Sequence, residues 1–156
     1  MPATRIRRAE DLPSRADRRL SVLAWTYAGF TLTTVPFSLA YGVGAQPGGK
    51  PVPDMPLRGT GYTPPLFLSA LLVGGARLAR FPDRRGVAGS ALVSLVSVAI
   101  LGGSTLNIPT DLRAVRAVGG PETMTYTMAS VSGSLALALL GHGVAVLSAR
   151  IRNLET

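Results

Sequence analysis

Four long stretches of this 156-residue sequence contain no charged residue, at 20–49, 59–76, 86–110 and 123–149. A helix rises about 1.5 Å per residue and the hydrocarbon core of a bilayer is about 30 Å thick, so about 20 apolar residues can span it. All four stretches reach or approach that length. The sequence therefore predicts an all-α integral membrane protein, built as a four-helix transmembrane bundle.

The predicted spans are about 20–42, 63–80, 87–106 and 124–148. The first must end before the Gly- and Pro-rich segment 46–56, because such a segment does not continue a helix. Thr63 and the following Pro64-Pro65 form a plausible start for the second span. The spans make one membrane domain, 20–149, between a basic N-terminal segment, 1–19, and a short tail, 150–156.

The basic residues predict the orientation of these spans. Twelve arginines fall in segment 1–19, in the turn between the second and third spans, and in the tail, whereas four basic residues fall on the other side. Cytoplasmic flanks carry the excess of Lys and Arg, so both termini are predicted to be cytoplasmic. Fifteen of the sixteen basic residues are Arg, which is typical of GC-rich bacterial genomes and places the protein in a bacterial inner membrane.

The composition also excludes several classes of function. The sequence has no cysteine, which rules out disulfides, thiolate metal sites and Cys nucleophiles. A net charge of +8 could indicate nucleic-acid binding, but the basic residues lie between the apolar stretches and are not predicted to form one basic surface. No nucleic-acid partner, metal or cofactor is predicted.

A cleaved signal peptide is the alternative interpretation of the first span. Val43-Gly44-Ala45 has the small-residue character of a cleavage site. The apolar region starting at Leu20 is longer than the roughly 7 to 15 residues of a signal peptide. A retained signal anchor is therefore the preferred interpretation.

Small residues at four-residue spacing predict how the fourth span packs. Helices associate in lipid through small residues and interhelical hydrogen bonds, and two neighbouring stripes of this span are rich in both. The residues predicted to pack are Gly133, Gly141, Ala145, Ser130 and Ser134. These residues would contact other helices of the bundle. Where the bundle leaves one stripe uncovered, they would instead form an interface with a second copy of the chain.

His142 is the one histidine of the chain, and no Asp, Glu, Lys or Arg lies in the middle of a predicted span. An ionisable group inside a membrane is a functional candidate by default. His142 could serve as a haem ligand, a proton carrier or a metal ligand. A neutral ring bonded to a serine or a backbone carbonyl of the spans is the preferred interpretation.

Segment 107–122 is predicted to hold a short interfacial helix between the third and fourth spans, capped by Thr110 or Asp111 and ended by Gly119-Gly120. The predicted topology places a set of polar residues on the same, outer side of the membrane: Tyr41, Gln46, Asp54, Arg58, Tyr62, Asn107, Asp111, Arg113, Arg116, Glu122 and Tyr126. The candidate catalytic residues are Asn107, Asp111, Arg113 and Glu122. They would form the rim of an outward-facing pocket, with Asp111 or Glu122 as general base.

Two short motifs carry a resemblance. Ala28-Gly29-Phe30 followed by Pro36, and Pro109-Thr110 shortly after the third span, resemble the outline of small four-helix membrane proteins of the anthrone-oxygenase-like kind. Asp111 stands where that outline has Asn, and no basic-aromatic motif precedes the fourth span. No catalytic role is transferred from the resemblance.

The sequence favours a non-enzymatic, small polytopic protein that acts as an accessory or partner-binding subunit, because no charge pair lies inside the spans. Its predicted partners are the lipid bilayer and a second copy or another membrane protein. One alternative is a cofactor-independent membrane enzyme that acts on a lipophilic small molecule in the outward-facing pocket. The other is an oligomeric channel or carrier.

Overall fold

The computed structural model describes residues 14–155, and the regular secondary structure of this part is entirely helical. The helices are α1 (Arg15–Tyr41), α2 (Pro51–Asp54), α3 (Leu66–Leu78), α4 (Arg84–Leu106), α5 (Ile108–Ala117) and α6 (Glu122–Glu155). The prediction of an all-α protein is confirmed over this range.

Four of the helices pack side by side. α1 contacts α3 and α6, and α4 contacts α3 and α6, while α5 packs on α6 and α4 at one end. One apolar core joins the four long elements; its largest members are Leu20, Tyr27, Leu72, Val93, Val96, Ile100, Leu139 and Val146. We call the end that carries α5 the α5 end. The opposite end, where α1 starts, the α3–α4 turn lies and α6 finishes, is the Arg150 end.

α1 starts before the predicted first span because Ser14 and Asp17 form a capping box. The Ser14 side chain accepts a hydrogen bond from the backbone N–H of Asp17 at 3.1 Å, and the Asp17 carboxylate accepts one from the backbone N–H of Ser14 at 3.0 Å. Such reciprocal bonds satisfy donors that a helix start leaves open. The helix thus includes part of the segment predicted as an N-terminal extension.

Asp17 also forms a buried ion pair with α6. Arg150 Nη2 lies 2.8 Å from Asp17 Oδ2, and the same nitrogen donates to the carbonyl oxygen of Ala79 at 3.1 Å. The Asp17 side chain is 2% exposed and that of Arg150 15%. One guanidinium therefore connects the start of α1, the end of α3 and the last part of α6.

α3 and α4 approach each other closely through glycine. A Cβ built on Gly89 would lie 2.6 Å from the carbonyl oxygen of Gly75 and would also clash with the backbone nitrogen of Ala79. The absence of a side chain at Gly89 lets the two backbones come together. Small residues at helix contacts have this function in membranes.

The other boundaries differ in part from the predicted ones. α3 has 13 residues and is shorter than the predicted span 63–80. α6 has 34 residues and continues through most of the predicted tail. α2 was not predicted; it is a single turn with Pro51 at its first position, where a missing N–H costs nothing. α5 forms in the predicted segment, but its N-cap residue is Asn107, whose side chain makes no capping bond.

In residues 14–155, two helices are long and apolar enough to cross a membrane, α4 and α6, with mean hydropathies of 1.9 and 1.7. α3 is apolar but shorter. α1 is long enough, with 27 residues, but it does not reach the same apolarity. It carries several hydroxyl side chains, and some of them hold segment 58–65 in place at the α5 end.

Candidate functional site

A cavity of about 190 Å³ lies inside the bundle near the α5 end. Part of its wall is apolar and comes from α3, α4 and α6: Leu68, Ala99, Ile100, Met128 and Ala129. A dry cavity of about 150 Å³ in a protein interior is able to hold benzene. The volume is therefore sufficient for an aromatic ring system or a short aliphatic chain.

Three hydroxyl groups, those of Tyr27, Ser132 and Thr125, line this cavity. The Tyr27 hydroxyl of α1 and the Ser132 hydroxyl of α6 are 3.1 Å apart and share a hydrogen bond. Thr125 also lines the cavity and is 2% exposed, and its hydroxyl oxygen has no hydrogen-bond partner among the described residues. A buried hydroxyl without a partner costs free energy unless a ligand or water satisfies it.

Asp111 is the acidic residue of the cavity wall. Within residues 14–155 its carboxylate has no ion pair, and no hydrogen bond to it is present. Burial raises the pKa of Asp111 from 3.8 to about 7, because the surroundings disfavour the charged form. Asn107 lies one helical turn earlier, and its carbonyl oxygen accepts from the Asp111 backbone N–H at 2.9 Å. At neutral pH the carboxyl group can accept or donate a hydrogen bond.

A second, shallower cavity of about 410 Å³ adjoins the first. Both cavities are lined by four polar residues, which we call the polar collar: Arg58, Thr60, Asn107 and Asp111. The shallow cavity continues to Ala45, Gln46 and Thr110. The arrangement is a deep, largely apolar chamber that opens through a polar collar toward the α5 end.

Segment 58–65 forms one side of the chamber and is held by hydroxyl groups of α1. Ser38 Oγ lies 2.7 Å from both Thr60 Oγ1 and Thr63 Oγ1, and Thr34 Oγ1 donates to Thr63 Oγ1 at 3.0 Å. All four side chains are buried. Thr60 Oγ1 in turn accepts from the backbone N–H groups of Tyr62 and Thr63, at 3.2 and 2.9 Å. Non-helical backbone inside a bundle needs such partners, because each unsatisfied polar group costs free energy. The segment replaces the first turn predicted for the second span, which explains why α3 is short.

Gly61 allows this segment to lie directly against α5. A Cβ at this position would come within 3.0 Å of the carbonyl oxygen of Asp111 and within 2.9 Å of Val115 Cγ2. Tyr62 packs next to it in a small core with Val43 and Val115. The position of Asp111 at the collar therefore depends on a glycine in the facing segment.

Two of the four candidate catalytic residues, Asn107 and Asp111, lie together at the collar, and two lie elsewhere. Arg113 is exposed and donates to the carbonyl oxygen of Pro109 at 3.2 Å. Glu122 accepts two hydrogen bonds from Arg116, at 2.7 and 2.9 Å, and these bonds lower the pKa of Glu122. Glu122 is thus a paired surface group, which leaves Asp111 as the candidate for a proton acceptor.

His142 lies half-buried on α6, and its Nδ1 is 3.0 Å from the carbonyl oxygen of Ala138, one turn earlier. The contact is of the kind that the preferred interpretation expects, because Nδ1 donates to a backbone carbonyl. Among the described residues, no group of three or more His, Cys, Asp or Glu side chains is placed to hold a metal ion. His142 is not part of the chamber.

The residues predicted to pack the fourth span fall on two sides of α6. Gly133 approaches Ser104 of α4, where an added Cβ would lie 3.4 Å from the serine oxygen. The other four are exposed on the bundle surface: Ser130, Ser134, Gly141 and Ala145. The buried stripe of α6 contains Thr125, Ser132, Ala136, Leu139 and Val146.

Sequence reasoning did not identify Tyr27, Thr60, Thr125 or Ser132 as site residues. A usable signal was present for α1, because Tyr27, Thr31, Thr34 and Ser38 recur at helical spacing on one face. Thr60, Thr125 and Ser132 gave no local signal. Comparisons with protein families, with curated proteins and with solved structures find no match to this chain.

Proposed function

We propose that α1, α3, α4 and α6 all lie in a bilayer, as a four-span bundle of the bacterial inner membrane. Beyond the two apolar helices, the support is the outer surface, where large apolar side chains of all four helices are exposed, including Val22, Leu32, Leu71, Leu95 and Leu137. Contiguous exposed apolar surface marks contact with lipid or protein. Four of the hydroxyl side chains that lower the apolarity of α1 are buried inside the bundle: Tyr27, Thr31, Thr34 and Ser38.

The proposed orientation places the Arg150 end in the cytoplasm and the α5 end outside. Because the chain has no cysteine, single exposed positions can be replaced and labelled in intact cells. Ala117→Cys, at the end of α5, is expected to react with a membrane-impermeant maleimide in intact cells. Pro82→Cys, in the α3–α4 turn, is expected to react only after lysis. The reverse pattern would invert the orientation.

For the activity, we propose that the chamber binds a lipophilic small molecule whose hydroxyl group donates a hydrogen bond to Asp111. The observation that carries this proposal is the carboxyl group of Asp111, which has no partner among residues 14–155 and lies at the collar of a cavity with a partly apolar wall. Ligand sites commonly combine such walls with a few convergent polar groups. With a pKa of about 7, Asp111 can also take up the hydroxyl proton near neutral pH, as a cofactor-independent enzyme requires.

The sign of the pH dependence follows from the form of Asp111 that accepts the stronger hydrogen bond, which is the ionised carboxylate. Since burial raises the pKa to about 7, the carboxylate form predominates only above that pH. With 1-naphthol as the probe, we expect saturable binding to the purified protein in detergent, about tenfold tighter near pH 8 than near pH 6. Titration calorimetry measures this change. Asp111→Asn should weaken binding by about tenfold or more and remove the pH dependence.

Two controls make this test specific. 1-Methoxynaphthalene fills the same space but has no hydroxyl proton, so its binding should be insensitive to pH. Glu122→Gln removes the other acid considered as a base, which lies outside the chamber, and should leave naphthol binding unchanged. Equal binding by wild-type protein and Asp111→Asn would refute the role of Asp111. The interpretations as a partner-binding subunit and as an oligomeric channel or carrier stay predictions.

A further inference from the structure

A separate groove of about 670 Å³ lies on the bundle surface between α1 and α3, toward the Arg150 end. It has no residue in common with the chamber. It is lined by three arginines, Arg18, Arg77 and Arg80, and by the apolar side chains of Val22, Trp25 and Val73. The groove is therefore a concave site at the opposite end of the bundle from the polar collar.

The groove has one charged end and one apolar end. Arg18 stands near the start of α1, and Arg77 and Arg80 stand at the end of α3, which runs in the opposite direction. Trp25 lies seven residues after Arg18 in α1, about 10 Å at the rise of an α-helix, and Val73 lies four residues before Arg77 in α3, about 6 Å. This separation matches a molecule with an anionic head and an apolar chain.

The three arginines of the groove are not neutralised within the described part of the chain. None of them forms an ion pair there, and no acidic residue lines the groove. The nearest described acids are engaged elsewhere, Asp17 with Arg150 and Asp83 with Arg85. Three cations in a concave site without counter-charge attract a phosphate group.

Two further features favour a lipid as the occupant. Trp25 is 57% exposed, and tryptophan is enriched at the level of lipid headgroups. Ser21 lines the groove, and its buried hydroxyl oxygen has no hydrogen-bond partner among residues 14–155. Rotation of the Ser21 side chain toward the groove would give this hydroxyl a headgroup oxygen as partner. Basic pockets between helices on the cytoplasmic side bind such headgroups.

We infer that this groove binds an anionic phospholipid, with the phosphate on Arg18, Arg77 and Arg80 and an acyl chain along Val22, Trp25 and Val73. The site goes beyond the proposed small-molecule function and rests only on the proposed membrane placement. In a bilayer, the arginines would lie at the level of the inner headgroups. The lipid would then fill the seam between the two helices.

The test measures lipid adducts of the intact protein by native mass spectrometry in detergent. Phosphatidylglycerol should bind wild-type protein in a one-to-one complex, and phosphatidylcholine at least tenfold more weakly. Replacing Arg18, Arg77 and Arg80 together by Gln should weaken phosphatidylglycerol binding by about 100-fold, at roughly fivefold per arginine. Saturation of the adduct at one lipid per chain distinguishes a site from general adsorption.

A matched variant tests whether position matters beyond net charge. Arg84, Arg85 and Arg152 lie at the same end and are exposed, but they do not line the groove. Their joint replacement by Gln should change the affinity by less than about fivefold. Equal losses in the two triple variants would overturn the inference, as would equal binding of both lipids. Displacement of the lipid by millimolar inorganic phosphate would also overturn it, by showing a simple anion site.

Two further measurements distinguish failure of the lipid site from failure of the proposed membrane placement or of the proposed chamber. Extraction of the groove variant from membranes by alkaline carbonate reports on insertion, and naphthol binding reports on the chamber. A groove variant that stays inserted and binds naphthol, but has lost phosphatidylglycerol, supports the lipid site alone.

Discussion

Asp17→Asn is expected to destabilise the protein by about 3–5 kcal/mol, the range for breaking a buried ion pair by removing one partner. Asn keeps an oxygen that can accept the capping bond from Ser14, so the change removes mainly the charge. Arg150 would then remain largely buried without a counter-charge, next to neutral oxygens such as the carbonyl oxygen of Ala79. Unfolding by urea in a mild detergent, followed by circular dichroism, measures the loss.

The control for this variant is Asp83→Asn. Asp83 also faces an arginine, Arg85, but at 3.9 Å and with both side chains more than half exposed. Exposed pairs contribute about 0–1 kcal/mol, so we expect a small change. Joint replacement of Asp17 by Leu and Arg150 by Met should recover much of the stability, because apolar pairs commonly replace buried ion pairs without loss. Similar losses in Asp17→Asn and Asp83→Asn would contradict a structural role for the buried pair.

Gly89→Ala is expected to lower the free energy of unfolding by about 2 kcal/mol or more, although alanine favours helices. The new methyl group would meet the Gly75 carbonyl oxygen at 2.6 Å and the backbone of Ala79. Backbone atoms cannot rotate away as a side chain can, so α3 and α4 must separate. The same urea titration measures the effect.

Gly102→Ala provides the comparison on the same helix. Nothing lies within 4 Å of a Cβ built at Gly102, so its added methyl group meets open space. We expect a change close to zero or a small gain in stability from the helix preference of alanine. If both alanine variants unfolded at the same urea concentration, the close contact of α3 with α4 would be unnecessary for stability.

The helices could be located from sequence because the signal is local. Uncharged runs and their flanking arginines lie next to one another in the chain, and they predicted the segments that hold α1, α3, α4 and α6, while cap residues and Gly119-Gly120 predicted α5. The start of α1 was less predictable. The Ser14 and Asp17 pattern indicates a cap, but the partner of Asp17 is Arg150, and no local rule connects residues so distant.

The chamber was only partly predictable for the same reason. Asn107 and Asp111 could be proposed because they share one short amphipathic segment. Thr60 and Thr125 reach the same cavity from separate parts of the chain, and only the packed bundle brings them together. Glu122 was proposed from its position beside the segment, and no local feature of the sequence indicated its bidentate contact with Arg116.

The buried pair between Asp17 and Arg150 joins residues 133 positions apart in sequence. During synthesis, α1 leaves the ribosome long before the arginine that completes its environment has been translated. Until then Asp17 stays without this partner, although earlier residues of α6 such as Ser132 can already contact α1. A nascent chain halted before residue 150 would therefore hold the start of α1 without the ion pair that joins it to α6.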